Sequence, residues 1–270
     1  MIDKQLRPYI AELIGAFALV FVGAGSVCAS QLTFGANPPP HHVVGIALAE
    51  GFILAVMLSA TMNVSGGYLN PAVALVLWVF KRLDGGRAFW LIVAQFLGAV
   101  LAGGCVRLIF SDSVYQPARG GTPHLNLEAF HHAAVPDLQI LFSGIGIELA
   151  LTFLLTFAIF GTILDPRAPR IAGLGVGLAM VAIVLMGFAL TGAAANPARW
   201  LGAMVWELTV DSSAYRDHAV YWIGPVLGAL LAGGLYTALI LPPAEEEKIA
   251  VGAPHAPALG AAQTMVKAKK

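Results

Sequence analysis

The chain has 270 residues, of which 58% are hydrophobic and 11% charged, with a net charge of zero. A soluble domain carries about 25% charged residues, so this surface must face lipid, in keeping with the mean hydropathy of +0.80. The balanced charge offers no footprint for nucleic acid. The two cysteines, Cys28 and Cys105, form neither a metal-ligand spacing nor a disulfide framework.

The polar start, Met1 to Pro8, carries Lys4 and Arg7 and runs into a long apolar stretch with no small-residue cleavage site. It reads as a retained first span rather than a removed signal peptide. A bilayer core about 30 Å thick needs about 20 apolar residues per helix. Six stretches qualify, at roughly 9–30, 43–62, 88–110, 138–163, 171–190 and 219–240. Two others, Pro71 to Phe80 and Pro197 to Trp206, would make helices of about 13–15 Å, half a bilayer. The expected fold is an all-α membrane protein with six transmembrane helices and two re-entrant half-helices.

Eleven of the 15 basic residues fall in the two tails or in alternate connections: Lys4, Arg7, Lys81, Arg82, Arg87, Arg167, Arg170, Lys248, Lys267, Lys269 and Lys270. By the positive-inside rule both termini are then cytoplasmic, and the cell membrane is the expected location. The remaining connections hold His41, His42, His124, His131, His132 and His218. These read either as polar solvated loops or as a proton or metal sensor. Residues 241–270 are Ala/Pro/Lys-rich with a run of glutamates and read as a disordered cytoplasmic tail. Residues 1–240 read as a single channel domain.

The chain repeats itself. Glu12-Leu-Ile-Gly-Ala-Phe17 answers Glu148-Leu-Ala-Leu-Thr-Phe153, Asn70-Pro71-Ala72 answers Asn196-Pro197-Ala198, and Leu97-Gly-Ala-Val-Leu-Ala-Gly-Gly104 answers Leu227-Gly-Ala-Leu-Leu-Ala-Gly-Gly234. The offsets are 136, 126 and 130, which places one repeat at about 9–110 and the second at about 138–240. Each repeat holds three full spans, an odd number, so the second half inserts inverted. Inverted repeats place a shared site near the midplane, where helices are broken.

Asparagine is a favoured N-cap and proline fits the first helical turn. Each Asn-Pro-Ala therefore reads as the start of a short helix, with the two starts meeting at the bilayer centre. Each asparagine oxygen caps its own helix and leaves the NH₂ to donate into a pore, where two helix N-termini also place partial positive charge. Water there turns its oxygen to both amides, which breaks a proton wire and opposes cations. The peptides Gly66-Gly67-Tyr68-Leu69 and Gly192-Ala193-Ala194-Ala195 offer carbonyls along the path.

Taken together, these pieces resemble the major intrinsic protein (aquaporin) family over about residues 9–240. The resemblance rests on Ser65-Gly-Gly-Tyr-Leu-Asn-Pro-Ala-Val73, Thr191-Gly-Ala-Ala-Ala-Asn-Pro-Ala-Arg199, the Glu12 and Glu148 segments and Tyr221-Trp222-Ile-Gly-Pro225. It implies a pore in each subunit, a homotetramer, no cofactor, and transport of water with or without small neutral solutes such as glycerol, urea, ammonia or hydrogen peroxide. It also implies that Arg199 lines an outer constriction and that Glu12 and Glu148 brace the loop backbones.

By the family's spacing the other constriction positions are Glu50 and Val184, where strict water channels carry phenylalanine and histidine, and Ala193, which fills the small position three before Asn196; the resemblance implies a wider and more apolar opening. Glu50 either pairs with Arg199 across the constriction or turns aside to satisfy other polar groups. Tyr68 stands where the family usually has histidine, and either narrows the inner approach or packs. Trp200 after Arg199 and the Tyr221-Trp222 pair resemble water-type members. The alternative is a secondary transporter that uses Glu50 as its ionisable group. No nucleophile and base set appears in the pore region, which argues against an enzyme.

Overall fold

The computed structural model describes residues 3–35, 37–131, 137–212 and 214–241. The expected tail beyond Leu241, and His132, lie outside the described residues. Among the described residues ten α-helices follow in order: α1 (Arg7–Phe34), α2 (His42–Thr61), α3 (Pro71–Val79), α4 (Gly85–Ile109), α5 (Asp112–Tyr115), α6 (Leu127–His131), α7 (Asp137–Ile159), α8 (Leu174–Thr191), α9 (Pro197–Glu207) and α10 (His218–Leu239). Six segments have the length and apolarity to cross a bilayer, those built on α1, α2, α4, α7, α8 and α10. The half-helices are α3 and α9.

Each boundary has a local cause. Pro8 sits in the first turn of α1, and Asp84 caps α4 by accepting from Arg87 N–H. Gly192 ends α8 in the left-handed region, φ 75°. The connection after α4 is less plain than its composition suggests. It folds into α5, a 3₁₀ turn at Arg119–Gly121 and α6.

The two halves pack alike. A Cβ on Gly98 of α4 would run into the backbone carbonyl of Leu13 on α1, and one on Gly228 of α10 into that of Leu149 on α7. These are equivalent positions of the repeat, and both helix pairs come to backbone contact because the residue is glycine. Gly103 and Gly202 seat α9 against α4 in the same way, and Gly51 and Gly177 seat α2 against α8. Outward, large apolar side chains such as Phe52, Val56, Leu101, Phe142, Leu154 and Met186 are exposed, as an integral membrane protein requires.

Gly98→Ala and Gly228→Ala should each destabilise the folded chain by about 1–3 kcal/mol, seen as a lower melting temperature in detergent. Gly25→Ala and Gly45→Ala, where a Cβ meets nothing within 4 Å, should leave that temperature unchanged or raise it.

Candidate functional site

Asn70 and Asn196 are extended, with φ −150° and −162°, and each caps its half-helix. The Asn70 oxygen accepts from Ala72 N–H at 3.0 Å, and the Asn196 oxygen from Ala198 N–H at 2.9 Å. Pro71 and Pro197 occupy the first helical turns, and Ala72 and Ala198 are buried behind them. The amide groups are not wholly free, as the sequence suggested. Asn70 Nδ2 donates to the Ala195 carbonyl and Asn196 Nδ2 to the Leu69 carbonyl, both at 2.9 Å. These crossed bonds tie the two halves together. An amide nitrogen has two hydrogens, so one on each asparagine remains for a passing molecule. The Leu69 and Ala195 carbonyls each accept one of these bonds and keep a second lone pair.

Two buried carboxylates hold the loops that lead into these caps. Glu12 accepts from Ser65 Oγ (2.6 Å), Tyr68 N–H (2.9 Å), Leu69 N–H (2.7 Å) and Gln95 Nε2 (2.6 Å). Glu148 accepts from Thr191 Oγ1 (2.7 Å), Ala194 N–H (3.0 Å) and Ala195 N–H (2.8 Å). Leu69 and Ala195 have positive φ, 51° and 45°, as do Gly66, Gly67, Gly192 and Ala193. A left-handed residue without glycine costs about 1–3 kcal/mol, and here it turns consecutive amides toward one acceptor. The halves differ at one point. Gln95 has Pro225 as its counterpart at the repeat offset of 130, so Glu148 has no matching amide. The second loop is braced instead by Tyr221, whose hydroxyl donates to the Thr191 carbonyl at 2.6 Å.

A cavity of about 10 Å³, room for one water, lies beside the crossed asparagines. Its wall includes Leu19, Leu54, Met180, Tyr68, Ala194 and Arg199. Tyr68 thus borders the path, with its ring folded over Gly66. Outside it opens a vestibule of about 230 Å³ bordered by Val27, Ile46, Phe188, Gly192, His42, His124 and again Arg199. On α1, α2 and α8 the two walls are each eight residues apart, about two turns. The residues midway are Gly23, Glu50 and Val184, and Ala193 lies midway between Gly192 and Ala194. By this spacing these four lie, with Arg199, at the level between cavity and vestibule, the neck of the path.

Arg199 and Glu50 meet there. Arg199 Nη2 donates to Glu50 Oε1 at 3.0 Å and Nη1 to the Gly121 carbonyl at 3.0 Å. Arg199 is 2% and Glu50 1% exposed, so the pairing carries the cost of burial for both charges. Glu50 Oε2 and Arg199 Nε have no protein partner, which leaves one acceptor and one donor at the neck. Of the two sequence readings for Glu50, the geometry has the ion pair. Val184 and Ala193 are fully buried and contribute no polar side-chain atom. Trp200 is buried and stacks on Tyr221 at 5.3 Å.

The whole of this arrangement falls within residues 2–236, which match the family model described as major intrinsic protein. The chain belongs to the major intrinsic protein family. Among curated relatives, Aquaporin TIP4-4 of Zea mays is 38% identical over 240 residues, covering 87% of each chain. Aquaporin-4 of Mus musculus is 32% identical, covering 87% of this chain and 68% of its own. Among solved structures, the aquaglyceroporin from Plasmodium falciparum superposes with a TM-score of 0.73 at 22% identity, over 87% of this chain and 96% of that one. The fold is therefore the aquaporin fold.

Several members of this site carry no motif. Gly23 is one: a Cβ there would lie 2.8 Å from Arg199 Nε and 3.0 Å from Glu50 Oε1. Its place was legible only as one turn beyond Leu19 on the face that starts at Glu12. Gly121 is another, reached through a connection whose course the sequence does not reveal. Gln95 sits in an apolar span where a single amide signals a buried partner without naming it.

Glu148→Ala would strand the Ala194 and Ala195 amides in the membrane interior at about 1–3 kcal/mol each. The channel should melt lower in detergent and lose most of its water flux in proteoliposomes. Gly23→Ala should reduce solute flux in the same vesicles with a smaller effect on melting.

Proposed function

We propose that the chain is a passive channel for water and small neutral solutes, with Glu50, Val184, Ala193 and Arg199 as its filter and Gly23 completing the ring. The crossed half-helix starts carry this reading. Two asparagine hydrogens and the positive ends of two helices converge on a cavity with room for about one water. A molecule there directs its oxygen to both amides and its hydrogens along the path in opposite senses. Hydrogen-bonded relay of a proton is interrupted and cations meet positive potential.

At the neck, the arginine charge is balanced by Glu50, while the guanidinium Nε–H and the second carboxylate oxygen are buried without a partner in the protein. Val184 and Ala193 are apolar and offer no side-chain hydrogen bond, which supports passage of small neutral solutes as well as water. A coupled carrier with Glu50 as its ionisable site is not favoured, because that carboxylate is engaged by Arg199 and the family consists of channels. The distribution of basic residues supports cytoplasmic termini, and the family resemblance supports a homotetramer in the bilayer. No enzymatic role is assigned.

Stopped-flow light scattering on proteoliposomes tests the reading. Water flux should be unsaturable and independent of ion gradients. Glu50→Gln and Glu50→Phe should change the ranking of water, glycerol and urea, since a hydrogen bond to a charged group is worth about 1.5–3 kcal/mol, roughly tenfold or more in a permeability ratio. An unchanged ranking places Glu50 outside the filter.

A further inference from the structure

The half-helix α9 carries Arg199 in its first turn and ends at Glu207. Glu207 is fully buried and stands at the C-terminal end of a helix, where the dipole disfavours negative charge. A buried acid in the wrong place for stability is held for another reason. Its two oxygens are taken by Arg119 Nε at 2.8 Å and His124 Nε2 at 2.7 Å. Arg119 also reaches Asp211 at 3.2 Å, His124 Nδ1 lies 3.4 Å from Asp217 Oδ2, and that same oxygen accepts Leu125 N–H at 3.1 Å.

All these contacts come from one segment, residues 119–125, which crosses the outer mouth. Midway along it is Gly121, whose carbonyl accepts from Arg199 Nη1. Gly121 has φ 71°, and a Cβ there would strike the backbone of Ala24 on α1. The segment is thus a strap laid along α9, fixed to its last residue and bonded to the guanidinium in its first turn.

We propose that Glu207 is a positioning residue for the filter: through Arg119 and His124 it anchors the strap whose Gly121 carbonyl holds Arg199 against Glu50. This rests on the reading of Glu50 and Arg199 as the filter. If the anchor loosens, the guanidinium loses one of its two side-chain hydrogen bonds and rotates in the neck. The ratio of solute to water permeability then changes, though neither Arg199 nor Glu50 has been altered.

The anchor is also titratable. Facing His124 are Glu207 at the end of α9, Asp217 and Arg216 from the turn before α10, and Arg119 with its partner Asp211. Gly192, at the end of α8, touches the strap near Pro123 and His124 and brings no charge. Burial alone pulls the His124 imidazole down, but its hydrogen bonds to Asp217 and Glu207 outweigh this and raise it above 6.5. A raised value means that the anchor is complete at lower pH, with both ring nitrogens donating. It weakens as pH rises through that value and the imidazole can no longer donate to both carboxylates.

The test uses the full-length channel in proteoliposomes, with the glycerol-to-water and urea-to-water permeability ratios measured from pH 5.5 to 9. The native ratios should shift on the alkaline side. Glu207→Gln, if it elutes as the native oligomer, should change the ratios at every pH by about threefold or more, the effect of one lost hydrogen bond. His124→Asn should remove the pH step. If Glu207→Gln does not fold, the His124→Asn profile decides alone: a flat profile supports the strap and a native one overturns it. Native ratios and a native profile in both variants overturn the proposal. Absence of water flux in the native channel would instead overturn the channel reading.

Discussion

A backbone that leaves its helix inside a membrane has no water to satisfy its amides. In this protein the requirement is met by two carboxylates, Glu12 and Glu148, each receiving a consecutive pair of loop N–H groups. Everything functional follows from that. The loops adopt left-handed turns at Leu69 and Ala195 because the carboxylates reward them. Those turns deliver Asn70 and Asn196 to the same point from opposite sides, with their crossed bonds to the Ala195 and Leu69 carbonyls. Without the two acids the loops that carry these caps would leave their amides without an acceptor.

Much of this was legible in the sequence, for reasons that differ by residue. The six spans and two half-helices follow from hydrophobic length, which lipid enforces strictly. The capping geometry of Asn70 and Asn196 follows from local propensity. The braces at Glu12 and Glu148 were visible through the family resemblance, and the need of a buried acid for donors agrees with them. The Glu50–Arg199 pair was visible as one of two alternatives, because spacing gives depth and not side-chain direction.

Other parts were hidden because they depend on the path of a connection rather than on a period. The course of residues 111–126 brings Gly121 to Arg199 and His124 to Glu207, and nothing in its composition says so. Gly23 was hidden for the opposite reason: a glycine in an apolar helix reads as close packing, and here the close neighbour is a charged pair. Each central asparagine keeps one amide hydrogen for the path rather than two, because no local signal shows that the carbonyl before each cap is claimed by the other half.

The brace on the first loop has a fourth donor, Gln95, while the second has Pro225 at the matching position and relies on Tyr221 for its stiffness. The duplicated segments have therefore stopped being interchangeable. A chain assembled from two copies of the first segment would have two glutamines and no counterpart of Tyr221 at its braces, and one from two copies of the second would have no counterpart of Gln95. Divergence after duplication has made each half complementary to the other, so that the ancestral symmetry survives in the backbone while the side chains require a heterologous pair.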